Sequence, residues 1–135
     1  RNPTGEIIGA MAYDHKGDIF VSDEGRMNDM FKLGNVHTDN YREIVSSEKA
    51  QKILGVSIND NYAICDACAY KPWCGLDPVV IHAEQGNIIP KVSDWSRHKL
   101  YEFQFDYVFE KLLFDEETRN VFFDWLTEWN YNKLN

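Results

Sequence analysis

Apolar positions in this chain fall into short runs over the first half and into long helical stripes over the last third. Ile7-Ile8-Gly9-Ala10-Met11-Ala12-Tyr13 and Asp18-Ile19-Phe20-Val21-Ser22 read as strands, with turn chemistry at Asp14-His15-Lys16-Gly17 between them. A β-hairpin is expected there, with Gly17 supplying a positive φ and His15 solvated at the tip. Asp23-Glu24-Gly25-Arg26 follows as a polar corner braced by carboxylate and guanidinium. Phe31-Lys32-Leu33-Gly34-Asn35-Val36 is a short apolar segment ending in a turn. Thr38 or Asp39 can cap a short helix through Val45, and Ser46 or Ser47 a second through Leu54. Ala50, Ile53 and Leu54 form one apolar stripe on that second helix, and Gly55 is placed to end it.

After the cysteines comes the strand-like run Pro78-Val79-Val80-Ile81-His82, then a loop with Gly86 and Pro90. Ser93 or Asp94 can cap a helix carrying Leu100, Phe103, Tyr107, Val108, Leu112 and Leu113. Asp115 can cap another carrying Val121, Phe122, Trp125, Leu126 and Trp129. The fold class is therefore α+β: an N-terminal hairpin, a cysteine-rich loop and C-terminal helices. With no repeat, linker or low-complexity stretch, residues 1–135 are expected as a single domain.

All three cysteines, Cys65, Cys68 and Cys74, stand in one C-x2-C-x5-C segment. Thiolates that close together can converge on one metal ion or one iron–sulfur cluster and leave a fourth position for another residue. A redox dithiol and inert burial are the other uses open to them. Composition narrows the class further. Hydrophobic residues make up 44% of the chain, enough for a core, and the net charge of -8 argues against a nucleic-acid surface. No apolar run reaches the roughly 20 residues that span a membrane. Clustered thiols suit a reducing, cytoplasmic setting. The chain begins at Arg1 without methionine, as expected of a piece of something longer.

The combination of Arg1-Asn2-Pro3, Ala12-Tyr13-Asp14, Asp23-Glu24-Gly25-Arg26-Met27, Leu33-Gly34-Asn35-Val36, Cys68-Ala69-Tyr70-Lys71-Pro72-Trp73-Cys74-Gly75 and Phe105-Asp106-Tyr107-Val108-Phe109 resembles a known domain. It is similar to the SPASM/twitch C-terminal domain of radical SAM peptide maturases, most of all the maturase group of the His-Xaa-Ser systems. That resemblance implies a scaffold for up to two auxiliary [4Fe–4S] clusters. The family pattern has an early cysteine, then G-x4-C, then C-x2-C-x5-C with a further cysteine just after it and a last one downstream. Here the first of these falls at Thr4, the cysteine of G-x4-C at Ser22, and the one after Cys74-Gly75 near Asp77. All three departures belong to one cluster. The other set keeps Cys65, Cys68 and Cys74, and its final cysteine falls close to His98.

The resemblance thus implies one retained site held by Cys65, Cys68, Cys74 and His98, with Asp77 as the alternative fourth ligand and His82 third. Its cofactor is expected to be one [4Fe–4S] cluster, with Zn2+ as the alternative on the same thiolates. The C-x3-C-x2-C motif that opens one iron to S-adenosylmethionine is missing, so this chain is not expected to be catalytic on its own. It is expected to work as an auxiliary domain of a radical SAM enzyme that modifies a ribosomally made peptide. Its partners would be the radical SAM catalytic domain and the precursor peptide. The rival expectation is a zinc-stapled module for protein–protein binding.

Overall fold

The computed structural model describes residues 9–134, with side chains over residues 9–127. Arg1-Asn2-Pro3, Thr4, Ile7 and Ile8 lie outside that range, as does the Trp129 side chain. The chain forms two compact units, Arg1–Trp95 and Ser96–Asn135, and each is described by itself.

The first unit opens on a three-stranded antiparallel sheet, β1 (Ala12–Tyr13), β2 (Asp18–Phe20) and β3 (Lys32–Asn35), ordered β1-β2-β3. In the hairpin Ala12 faces Phe20 and Tyr13 faces Ile19. The turn follows the expected chemistry. Asp14 Oδ1 accepts from the amides of Lys16 (2.8 Å) and Asp18 (2.9 Å), and Gly17 has φ 81°. A Cβ on Gly17 would also stand 2.8 Å from Val36 Cγ2, so glycine is required twice over. The first strand is shorter than the expected run from Ile7. Continued in this register, Gly9 would face Asp23, but there the chain turns into a 3-10 helix at Glu24–Met27 and offers no ladder. The apolar segment after Phe31 is β3 itself, which pairs with β2 across an irregularity between Ile19 and Phe20.

Two helices follow, α1 (Tyr41–Ser46) and α2 (Glu48–Ser57). Asn40, not Thr38 or Asp39, caps α1 by accepting from Arg42 N; Asp39 instead accepts from Asn35 N at 2.7 Å. Ser47 caps α2 as expected, accepting from Ala50 N. Gly55 does not end α2, which runs on to Ser57. Side chains from the next turn receive its last carbonyls: Asn61 Nδ2 donates to Gly55 O at 2.6 Å and Tyr62 Oη to Val56 O at 3.0 Å.

A short helix α3 (Ala63–Asp66) leads into the cysteine segment, and α4 (Pro78–Gln85) leaves it. The run Pro78-Val79-Val80-Ile81-His82 is thus helical, not strand-like. Its β-branched residues favour strands, but the ends decide. Asp77 Oδ1 accepts from Val79 N and Val80 N, proline occupies the first turn, and Gly86 closes the helix at φ 69°. The core gathers Val21, Phe31, Ala50, Ile53, Val79 and Ile88, with the His82 ring edge-on to Phe31 at 5.7 Å. Leu76, Pro78 and Ile81 are also buried, so the exit of the cysteine segment is anchored in apolar packing.

The second unit is a pair of helices, α5 (Ser96–Phe114) and α6 (Glu116–Leu134), packed on one another. Ser93 and Asp94 sit in a preceding 3-10 turn and do not cap α5. Asp115 does cap α6, accepting from Thr118 N at 3.1 Å. Tyr101, Phe105, Phe109 and Leu112 are half-buried, whereas Leu100, Phe103, Tyr107, Phe114, Val121, Phe123, Trp125 and Leu126 are exposed. Among the described residues, no helix is long and apolar enough to cross a membrane.

Candidate metal centre

Local turns, one after another, deliver the three cysteines. Cys65 lies in α3, its amide donating to Tyr62 O at 2.8 Å; Cys68 N donates back to Cys65 O at 3.2 Å, and Lys71 N to Cys68 O at 3.2 Å. Cys74 N then donates to Tyr70 O at 2.9 Å. Across residues 63–74 the half-buried residues are the three cysteines, Tyr70 and Lys71; the others are exposed. The three cysteines are thus less exposed than Asp66, Ala67, Pro72 and Trp73 around them.

Asn59, on the 3-10 turn Asn59–Asn61, holds this loop from beneath. It is buried, and its Nδ2 donates to Lys71 O and to Cys74 O, both at 2.8 Å. Lys71 is clamped at its other end, where Nζ pairs with Asp60 Oδ1 at 2.7 Å and Asp66 Oδ1 at 2.8 Å. Those two carboxylates raise the Lys71 pKa above its ordinary value, so the ammonium stays charged beside the thiols. Sequence reasoning did not find this clamp. Asn59-Asp60-Asn61 reads as an ordinary polar loop, and nothing in its spacing points to carbonyls twelve and fifteen residues further on.

All three cysteines are thiols, with no disulfide among them. Burial pushes the Cys65 thiol up, the neighbouring Cys68 charge adds to this, and Lys71 pulls the other way. A cation at these sulfurs would supply the charge that thiolate formation needs, so binding would release protons. The donor chemistry fits an iron–sulfur cluster or zinc. The side chains do not close a shell: among the described residues, no three of His, Cys, Asp or Glu form a group that could hold a metal ion.

The remaining candidates have other engagements. Asp77 gives Oδ1 to the cap of α4. His98 stands in the first turn of α5, in the second unit, with Nε2 3.6 Å from Glu102 Oε1. Ser22, at the G-x4-C position, is buried and its Oγ accepts from Gly25 N at 3.2 Å, closing the polar corner that Arg26 and Asp23 brace at 2.5 Å.

A small antiparallel sheet and helices carry a loop with three free cysteines. Residues 9–69 match the family model of the SPASM domain, described as an iron–sulfur cluster-binding domain. The match runs from the hairpin through Cys65 and Cys68 and ends before Cys74. Comparison with curated proteins gave no match, and comparison with solved structures gave none.

Proposed function

We propose that the chain is the auxiliary cluster-binding domain of a radical SAM enzyme that modifies a ribosomally made peptide in the cytoplasm. The observation that carries this reading is the match of residues 9–69 to the SPASM model, with three free cysteines in one C-x2-C-x5-C segment. Cys65, Cys68 and Cys74 would hold one [4Fe–4S] cluster, with His98 as fourth ligand and Asp77 as its alternative. Bound there, the cluster supplies a single redox step or a structural cross-link; the protein supplies thiolates, a charged Lys71 beside them and a loop held by Asn59. The engagements of Ser22 and Asp77 support a single site. Where the resembled pattern has ligands of the other cluster, this chain has a hydroxyl closing a turn and a carboxylate capping a helix.

The exposed apolar residues of α5 and α6 supply a surface for the radical SAM catalytic domain, and the hairpin one for the precursor peptide. The test is metal loading of wild type against Cys68→Ala, prepared without oxygen. The reading requires about one cluster per wild-type chain and none in the variant. Two clusters, or a colourless protein with stoichiometric zinc, would overturn it, the latter in favour of a zinc-stapled binding module.

A further inference from the structure

We propose that Cys65 and Cys68 are a thiol–disulfide pair, which closes to an intramolecular bond when the metal-free chain meets a small-molecule disulfide and leaves Cys74 a thiol. Cys65-Asp66-Ala67-Cys68 is a tight turn. Asp66 is the last residue of α3, Ala67 has φ -91° and ψ 1°, and Cys68 N donates to Cys65 O at 3.2 Å. Those are the marks of a type I turn, whose corner Cα atoms lie within about 7 Å of one another. A disulfide spans Cα atoms about 4.4–6.8 Å apart, so this turn sets its two cysteines at the separation that a bond needs. The side chains are near enough for the Cys68 charge to push the Cys65 thiol up. Cys74 belongs to a different turn, where its amide donates to Tyr70 O at 2.9 Å and its Sγ to Gly75 O at 3.9 Å.

Ties that use neither sulfur hold the turn. Asp66, in its middle, pairs with Lys71 Nζ at 2.8 Å, the same ammonium pairs with Asp60 at 2.7 Å, and Lys71 N donates to Cys68 O at 3.2 Å. Both cysteines are half-buried thiols, within reach of a small reagent. The step is a double exchange. One cysteine thiolate attacks the small disulfide and expels its first thiolate; the second cysteine then attacks the mixed disulfide, the Cys65–Cys68 S–S bond forms and the other small thiolate leaves. The two cysteine protons pass to the two released thiolates, so the dithiol is oxidised and the small disulfide reduced. A sulfur in that bond is no longer the thiolate that binds metal. On the reading of the cysteines as ligands, closure withdraws two of the three until a thiol reductant restores them.

The experiment equilibrates the full-length, metal-free, reduced chain in mixtures of reduced and oxidised glutathione, quenches it in acid and labels it by differential alkylation, read cysteine by cysteine from fragment masses. Wild type should lose two hydrogens as one intramolecular bond, with Cys65 and Cys68 protected from the first alkylating reagent and Cys74 labelled by it. Cys74→Ser should close at the same glutathione ratio as wild type, because its bond can only join Cys65 to Cys68. Cys65→Ser and Cys68→Ser should stop at mixed disulfides with glutathione. A wild-type bond that includes Cys74 overturns the assignment, and so does a wild-type chain that ends only in mixed disulfides. The wild-type mapping decides by itself should a variant not fold. Iron plays no part in this readout: a chain that closes the Cys65–Cys68 bond but takes up no cluster after reduction keeps the pair and loses the ligand reading.

Discussion

On the proposed function, Asp77 and His98 are the alternatives for the fourth ligand. Asp77 caps α4 through Oδ1, a task asparagine performs equally well, since both offer the same acceptor. Asp77→Asn should leave stability and metal content unchanged, whereas Asp77→Ala should cost about 1 kcal/mol in urea unfolding. His98→Ala should lose the metal; loss in Asp77→Asn would transfer the fourth position to the carboxylate. A second residue-scale expectation concerns acid. Lys32 Nζ at 2.7 Å and Asn35 Nδ2 at 2.7 Å hold the Asp18 carboxyl below its ordinary value of 3.8. Because the folded pKa is the lower one, its stabilisation is fully present above the unfolded value and disappears as pH falls through the folded value. The melting temperatures of wild type and Asp18→Asn should therefore separate above the ordinary value of 3.8 and converge as pH falls below it. Parallel curves across that range would show that the ion pair contributes nothing.

Elements whose ends carry strong chemistry were legible in the sequence, and those fixed by distant contacts were not. The hairpin turn was readable because Asp14 and Gly17 act on their own neighbours. Ser47 and Asp115 were readable as caps for the same reason. The extent of α2 was not, because its end depends on Asn61 and Tyr62 reaching back over Gly55 and Val56. Nor was α4, a short run of β-branched residues whose helical state depends on Asp77, Pro78 and Gly86 acting together. The clustering of the three cysteines was legible from spacing, while the ties on their loop at Asn59 and Lys71 were not. Phe31 shows how the elements are joined: it is 1% exposed, packs in the core of the first unit and meets the His82 ring of α4. Phe31→Ala should destabilise the protein by about 3–5 kcal/mol in urea unfolding. A loss under about 1 kcal/mol would mean that the core does not depend on this contact.

On the scale of the whole molecule, the first unit has its own core and the cysteine segment is tied into it at Asn59 and at Leu76, Pro78 and Ile81. On the proposed function, binding at the thiols would be linked to folding. Complete chelation should lower the melting temperature of the loaded protein and leave Cys68→Ala, which has nothing to lose, unmoved. An unchanged wild-type curve after chelation would make the site dispensable to the fold.

The proposed function places one iron–sulfur site on Cys65, Cys68 and Cys74, in a chain whose residues 9–69 match the SPASM family model. It is tested most directly by iron and acid-labile sulfide analysis, with a visible absorption spectrum, on protein expressed and purified without oxygen. One [4Fe–4S] cluster requires a brown protein with about four irons and four sulfides per chain. A colourless protein carrying one zinc per chain, or one with folded structure and no metal, would contradict it.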